Sequence, residues 1–137
     1  MELTREFVYS QLKVLHRIQN MLYLADRSAA SHRLRIELQN QMTELDQLES
    51  QYQTLAAQRG WELPEDTVQS GIFSKFRFYK RSDSELAEYF IRLYTKYSID
   101  LLKLYHHRKH DDRTVQSLFQ KFMDRCTISI RQMQFYL

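Results

Sequence analysis

Helix-breaking residues are scarce in this chain, and most of them lie in one short stretch. The 137 residues include two glycines and one proline. Gly60, the only tryptophan (Trp61) and the only proline (Pro64) fall close together. An all-β fold needs many tight turns that use glycine and proline, whereas a few long helices need few. The sequence therefore predicts an all-α fold that is interrupted at Gly60–Pro64.

Composition places the chain in an ordinary class of proteins. With 43% hydrophobic residues, it has enough apolar material for one domain, residues 1–137, that buries its own core. No run approaches the roughly 18 continuous apolar residues of a membrane span, and the first residues lack the basic-then-apolar order of a signal peptide. A single cysteine, Cys126, excludes an internal disulfide. We expect a soluble protein in the cytoplasm.

Apolar residues in the first part of the chain repeat with helical spacing and predict a helical hairpin over residues 3–59. Between the two predicted helices, residues 26–31 supply short polar side chains that can cap a helix. A connection this short makes the two helices antiparallel neighbours. The predicted inward positions are Phe7, Gln11, Val14, Ile18, Met21 and Ala25 in the first helix, and Leu34, Leu38, Leu45, Leu48, Tyr52 and Leu55 in the second.

A second helical hairpin is predicted over residues 83–136. Ser82 and Glu85 have the spacing of a capping box, and Asp111 or Asp112 can cap the last helix. The predicted inward positions are Leu86, Phe90, Leu93, Tyr97, Leu101 and Leu104 in the third helix, and Val115, Phe119, Phe122, Cys126, Met133 and Leu137 in the fourth.

The connection between the hairpins, residues 60–81, decides the topology. A second helix of about 28 residues is about 42 Å long at 1.5 Å per residue, and an extended connection of this length at about 3.3 Å per residue can span it. A simple up-down-up-down bundle needs only a few residues here. We therefore predict a long crossover that makes the second and third helices parallel, which is the ferritin-like arrangement.

Ferritin-like bundles often hold two metal ions, and their Glu-x-x-His motifs can be sought in the sequence. Glu44 is followed three residues later by Gln47, and Asp124 is followed by Thr127, so neither forms the motif. His16 is expected to face solvent. The remaining histidines, His106, His107 and His110, cluster at the predicted end of the third helix. The dipole at a helix carboxyl end favours histidine there without any metal. We predict neither a metal nor another cofactor.

No nucleophile stands out either. Cys126 falls on the predicted core face, where a cysteine behaves as a small apolar side chain. Gly60 and Gly71 stand alone and do not form a phosphate-binding loop. The sequence thus predicts no catalytic residues and a non-enzymatic protein.

One segment combines basic and aromatic residues without any acid, and it is the predicted partner-binding site. Such a segment can stack nucleic-acid bases or lie on an anionic surface. Alternatively, its aromatic rings pack on the bundle while the basic side chains stay in water. We favour packing, and a protein partner or self-association over nucleic acid. The residues are Lys75, Phe76, Arg77, Phe78, Tyr79, Lys80 and Arg81.

The end of the second helix resembles a known family. Tyr52, then Leu55 to Trp61 (Leu-Ala-Ala-Gln-Arg-Gly-Trp), then Pro64, is similar to the closing pattern of the spore coat F family. The resemblance covers roughly residues 4–66, with Ser10-x-x-Lys13 as a weaker similarity. Glu62 stands where the family usually has tyrosine, and Asp46-Gln47 where it often has His-Glu.

The resemblance implies a ferritin-like bundle from a spore-forming bacterium, non-enzymatic and associated with the spore coat or with sporulation. The alternative from the enzyme class is a degenerate ferritin-like protein with two metal ions. The third alternative is a module that binds nucleic acid or an anionic surface through the basic and aromatic segment.

Overall fold

The structure is a computed structural model that describes residues 2–63, 77–107 and 111–137. These residues form four helices and no strand, so the predicted all-α four-helix bundle is confirmed. Residues 64–76, within the predicted crossover, lie outside the described residues. The helices are α1 (Glu2–Ser28), α2 (His32–Arg59), α3 (Asp83–His107) and α4 (Arg113–Gln134).

Helix α2 ends at Gly60 for a local physical reason. Gly60 has a left-handed backbone (φ 69°). In this conformation the Cβ of any other residue would come too close to the backbone, and glycine has no Cβ. Its N–H donates to the Ala57 carbonyl at 3.3 Å, and the Trp61 N–H donates to the Ala56 carbonyl at 2.9 Å. This pair of bonds is a Schellman motif, which satisfies carbonyls that the helix leaves unpaired.

The amino termini of the helices are capped as the sequence predicts. The Leu34 N–H donates to the Ser31 hydroxyl at 3.0 Å. At α3, Ser82 and Glu85 form the reciprocal capping box, with both bonds at 3.1 Å. Of the two candidates at α4, Asp112 is the cap, because its carboxylate accepts from the N–H groups of residues 114 and 115.

Helix α1 packs between α2 and α3 and is antiparallel to both. At its beginning, the Tyr9 hydroxyl donates to the carbonyl of Glu62, just past the end of α2. Phe7 lies with its ring centroid 5.9 Å from that of Tyr105, near the end of α3. The start of α1 therefore meets the ends of α2 and α3.

Helix α4 also packs against α2 and α3. Asp112, its cap, forms an ion pair with Arg59, the last residue of α2. At the opposite end, the Tyr136 hydroxyl donates to the Arg33 carbonyl at 3.3 Å. Helices α2 and α3 are thus diagonal to each other in the bundle and run parallel. The end of α2 and the start of α3 therefore lie at opposite ends of the bundle. We call the two ends of the bundle the Gly60 end and the Arg33 end.

The core follows the predicted stripes in α1, α2 and α4 more closely than in α3. All six predicted positions of α2 are buried, and in α4 only Leu137 is wrong, since it is 63% exposed beyond the helix end. In α3, Leu104 is exposed, whereas Ala87 and Tyr94 are fully buried. The true inward face is centred on Tyr94 and is rotated from the predicted stripe.

Replacing Gly60 with alanine should destabilise the bundle by about 1–2 kcal/mol, because an L side chain is strained in the left-handed region. Apart from the chain neighbours of Gly60, no atom of the described residues lies within 4 Å of a Cβ built at this position, so backbone strain sets the loss. Urea unfolding measures it. Gly60→Asn is the matched control and should lose less, since asparagine tolerates this conformation better. Equal losses for both variants would contradict the strain argument.

Asp112 should make the stability sensitive to acid. The hydrogen bond from Arg59 lowers the pKa of Asp112, with smaller help from the backbone N–H groups that it caps. A lowered pKa in the folded state means that the ionised carboxylate stabilises the fold above the unfolded value of about 3.9. This contribution is lost as pH falls through the folded pKa.

Asp112→Asn keeps a capping side chain but removes the charge. We expect the variant to unfold at a lower urea concentration than the parent at pH 7, and the difference to shrink below about pH 4. Asp111→Asn is the control, because Asp111 makes neither the cap nor the ion pair, and its curve should follow that of the parent. A constant difference between pH 7 and pH 2.5 would reject this role for Asp112.

Candidate functional site

The inside of the bundle contains polar side chains contributed by all four helices. Gln11, Gln41 and Ser129 are at most 1% exposed, and two tyrosines, Tyr52 and Tyr94, are fully buried with them. A buried polar group destabilises the fold unless it forms a hydrogen bond. The partners of these side chains therefore decide whether the interior is a structural network or a reactive site.

The buried tyrosines donate to the buried amides. The Tyr52 hydroxyl donates to Gln11 Oε1, which joins α1 and α2. The Tyr94 hydroxyl donates to Gln41 Oε1 at 2.8 Å, which joins α2 and α3. Burial raises the pKa of Tyr52 and of Tyr94 well above the ordinary value. Both phenols thus stay protonated and act as hydrogen-bond donors.

The network reaches the surface between α2 and α4. Gln41 Nε2 donates to Glu37 Oε2 at 3.4 Å, and burial raises the pKa of Glu37. On α4, the Arg125 guanidinium donates to Ser129 Oγ at 3.4 Å and to Gln132 Oε1 at 2.9 Å. Charged groups therefore occupy only the outer edge of the network.

The interior residues do not fit a pair of metal ions. A ferritin-like metal pair is held by four carboxylates and two histidines, whereas the buried side chains are neutral amides, phenols and a hydroxyl. Within residues 2–63, 77–107 and 111–137, no three His, Cys, Asp or Glu side chains are grouped as metal ligands would be. Glu44 is half-exposed beside Arg125, and Asp124 accepts from Gln120 at 2.8 Å on the surface.

The histidines occupy separate positions. The expectation that His16 faces solvent is wrong: its side chain is 14% exposed, and Nε2 lies 3.3 Å from Glu49 Oε1 of α2. The inward face of α1 is wide enough for position 16 to flank α2. His106 and His107 are exposed in the last turn of α3. His110, the third member of the predicted cluster, lies outside the described residues.

Cys126 is buried in the core, as its position on the apolar stripe predicts. Burial raises the pKa of its thiol to about 12, and hydrogen bonding to Ser98 opposes the shift only in part. The thiolate is the nucleophilic form of cysteine. At neutral pH, Cys126 is therefore a protonated, inert packing residue.

The described part of the predicted partner-binding site is a turn that precedes α3. The Arg81 N–H donates to the Phe78 carbonyl at 3.2 Å. Within this turn, Lys80 has φ 58° and is the one non-glycine residue with a left-handed backbone in the described ranges. Lys75 and Phe76 lie outside the described residues.

Phe78 anchors the turn to the bundle. It is 2% exposed, and its ring centroid lies 4.9 Å from that of Tyr89 and 6.0 Å from that of Phe90. Tyr79, the next residue, is 62% exposed. Phe78 thus lies where the packing interpretation places it. The side chains left in water are Arg77, Tyr79, Lys80 and Arg81.

Residues from other parts of the chain lie at the same end of the bundle as the turn, the Arg33 end. The Arg33 guanidinium lies 4.5 Å from the ring centroid of Phe135, which is 65% exposed. Arg33 and Asp83 both influence the pKa of Tyr136, so the end of α4 lies near the starts of α2 and α3. We define the basic–aromatic surface by the residues that are exposed at this end: Arg33, Arg77, Tyr79, Lys80, Arg81 and Phe135.

Arg33 and Phe135 were not predicted as part of a site, because they are 102 residues apart and no local sequence pattern connects them. Comparisons with protein-family models, curated proteins and solved structures find no match. None of the helices in the described ranges has the combination of length and apolar character that a membrane span requires.

Tyr94→Phe should destabilise the bundle by about 1–3 kcal/mol, because it leaves the buried Gln41 carbonyl oxygen without its donor. Adding Gln41→Leu removes the stranded group, so the double variant should be more stable than Tyr94→Phe alone. Urea unfolding of the two variants gives this comparison. Tyr97→Phe, also in α3, is the matched control and should change little, since the Tyr97 hydroxyl forms no hydrogen bond with any of the described residues. If the double variant is less stable than Tyr94→Phe alone, the hydrogen bond between Tyr94 and Gln41 does not account for the loss of stability.

Proposed function

We propose that this chain is a non-enzymatic structural or interaction protein that binds an acidic protein partner through the basic–aromatic surface. The observation that carries this proposal is the contrast within one turn. Phe78 is buried against Tyr89 and Phe90, whereas Tyr79 and three basic neighbours are exposed. Phe78 thus anchors the backbone of the turn that carries the exposed side chains.

This surface has the chemistry of a protein-binding site. Tyrosine and arginine are enriched among the residues that dominate binding energy at interfaces. Basic groups steer an acidic partner towards the surface and select its orientation. Arg77 lies over the Tyr89 ring, with 5.5 Å between the guanidinium carbon and the ring centroid, which restricts the side chain before a partner arrives. Such restriction reduces the entropy lost on binding.

The interior supports a structural role. Its phenols donate to the amide oxygens, and its cysteine is protonated, so the described core offers no charged acid, base or nucleophile. The polar network specifies how the helices pack. Activity of the protein therefore belongs to its surface in this proposal.

Two finer points belong to the same proposal. Antiparallel neighbouring helices, with α2 and α3 parallel on a diagonal, support a ferritin-like bundle. The resemblance of residues 52–64 to the spore coat F family supports a role in the spore coat. Gly60 and Trp61 of that resemblance form a helix stop, which supports a shared fold more directly than a shared partner.

Localisation in the native host tests the proposal. A fluorescent fusion of the parent should concentrate at the coat during sporulation, whereas Arg77→Glu/Lys80→Glu/Arg81→Glu should be diffuse, because the charge that attracts the partner is reversed. The control is Arg17→Glu/Lys96→Glu/Lys103→Glu, which changes the net charge equally at exposed positions away from the surface. It should localise like the parent.

The outcomes separate the two parts of the proposal. A parent fusion that stays diffuse throughout growth and sporulation would reject the coat setting. Coat localisation of the parent and of both variants would reject the basic–aromatic surface. Binding of single-stranded oligonucleotides by the purified parent, lost in the 77/80/81 variant alone and weakened by salt, would replace the protein partner with nucleic acid.

A further inference from the structure

A groove of about 430 Å³ lies between α2 and α4 near the Gly60 end. Its volume falls in the range of sites that bind small molecules. The floor includes Leu55 and Leu118, which are 2% and 5% exposed. Arg113, Ser117 and Lys121 form one wall. Gln51, Thr54 and Gln58 of α2 form the other wall, so the groove is apolar at the bottom and polar along both sides.

Among the described residues, the charged groups that line the groove are both basic, and none of the lining residues is a carboxylate. Arg113 forms no ion pair with any residue of the described ranges. Lys121 Nζ donates to Gln51 Oε1 at 3.1 Å, and this amide is neutral. The nearby carboxylate of Asp112 is already paired with Arg59. Within the described ranges, no carboxylate therefore neutralises the two positive charges in the groove.

The spacing along α4 brings these charges to one place. Arg113, Ser117 and Lys121 are four residues apart, so they line one side of the helix, with about 6 Å along the axis between neighbours. Arginine and lysine side chains can cover that distance. An anion above the Ser117 hydroxyl would be reached by a guanidinium from one side and an ammonium from the other.

The start of α4 also favours an anion here. Arg113 lies in the first turn of α4, where the helix dipole is positive. The adjacent carboxyl end of α2 has carbonyls that accept from the N–H groups of Gly60 and Trp61. Those bonds satisfy two of the carbonyl oxygens at the negative end of α2.

We propose that this groove binds a small phosphate-bearing molecule. The phosphate lies above Ser117, where Arg113 offers two parallel hydrogen bonds and Lys121 a point charge. The apolar part of the ligand lies on Leu55 and Leu118. The site is at the opposite end of the bundle from the basic–aromatic surface, so it does not depend on the proposed partner.

Two probes at constant ionic strength test the site by NMR titration of backbone amides. Phenyl phosphate should cause saturable shifts at residues 54–58 and 113–121. Inorganic phosphate should shift the same amides but bind about tenfold more weakly, because it cannot bury apolar area on the leucines. Equal affinity for the two probes would contradict the apolar part of the site and assign it to free phosphate.

Variants distinguish a built site from general attraction of anions. Arg113→Gln/Lys121→Gln should lower the affinity for phenyl phosphate at least about tenfold, since the hydrogen bonds from two charged side chains are lost. Arg17→Gln/Lys103→Gln removes the same charge elsewhere and should leave the affinity unchanged. The proposal is overturned if neither probe gives saturable shifts with the parent, or if both variants weaken binding equally. Circular dichroism checks that each variant remains helical.

Discussion

The buried hydrogen bonds between tyrosines and glutamines determine how the helices of this bundle pair. Apolar stripes alone allow a helix to slide or rotate against its neighbour with little loss of contact. A buried hydroxyl or amide allows no such change, since moving it from its partner leaves a polar group unsatisfied in the core. Tyr52 with Gln11 fixes α1 against α2, and Tyr94 with Gln41 fixes α2 against α3 across the diagonal. The positions of the exposed sites depend on this alignment of the helices.

The sequence was sufficient for features that depend on neighbouring residues. Capping at Ser31, Ser82 and Asp112 and the stop at Gly60 follow from side chains within a few positions, and the stripe of α2 has a single apolar face. Helix α3 was different, because apolar residues lie on two adjacent lines. The predicted line included Leu93 and Leu104. Which of the two lines faces inward depends on the hydrogen bond between Tyr94 and Gln41, which are 53 positions apart in the chain. No local pattern predicts a contact at that separation.

The candidate sites divide in the same way. Basic and aromatic residues adjacent in sequence identified Arg77 to Arg81 as a surface segment. Phe135 and Arg33 join that surface only because α4 ends beside the start of α2. Likewise, the four-residue spacing of Arg113, Ser117 and Lys121 was visible in the sequence, but its meaning depends on which helix faces it. Helices α2 and α4 belong to different hairpins. The periodicity of a single helix does not specify which helix of the other hairpin it packs against.

Asp112 has two roles, and their combination affects how the Gly60 end can open. The same carboxylate caps the start of α4 and holds the last residue of α2. When α2 frays past Arg59, the cap loses a cation that keeps it ionised. When the first turn of α4 frays, Arg59 loses its partner. Local opening at this end therefore involves both hairpins in one event, and amide protons of the last turn of α2 and the first turn of α4 belong to a single exchange unit.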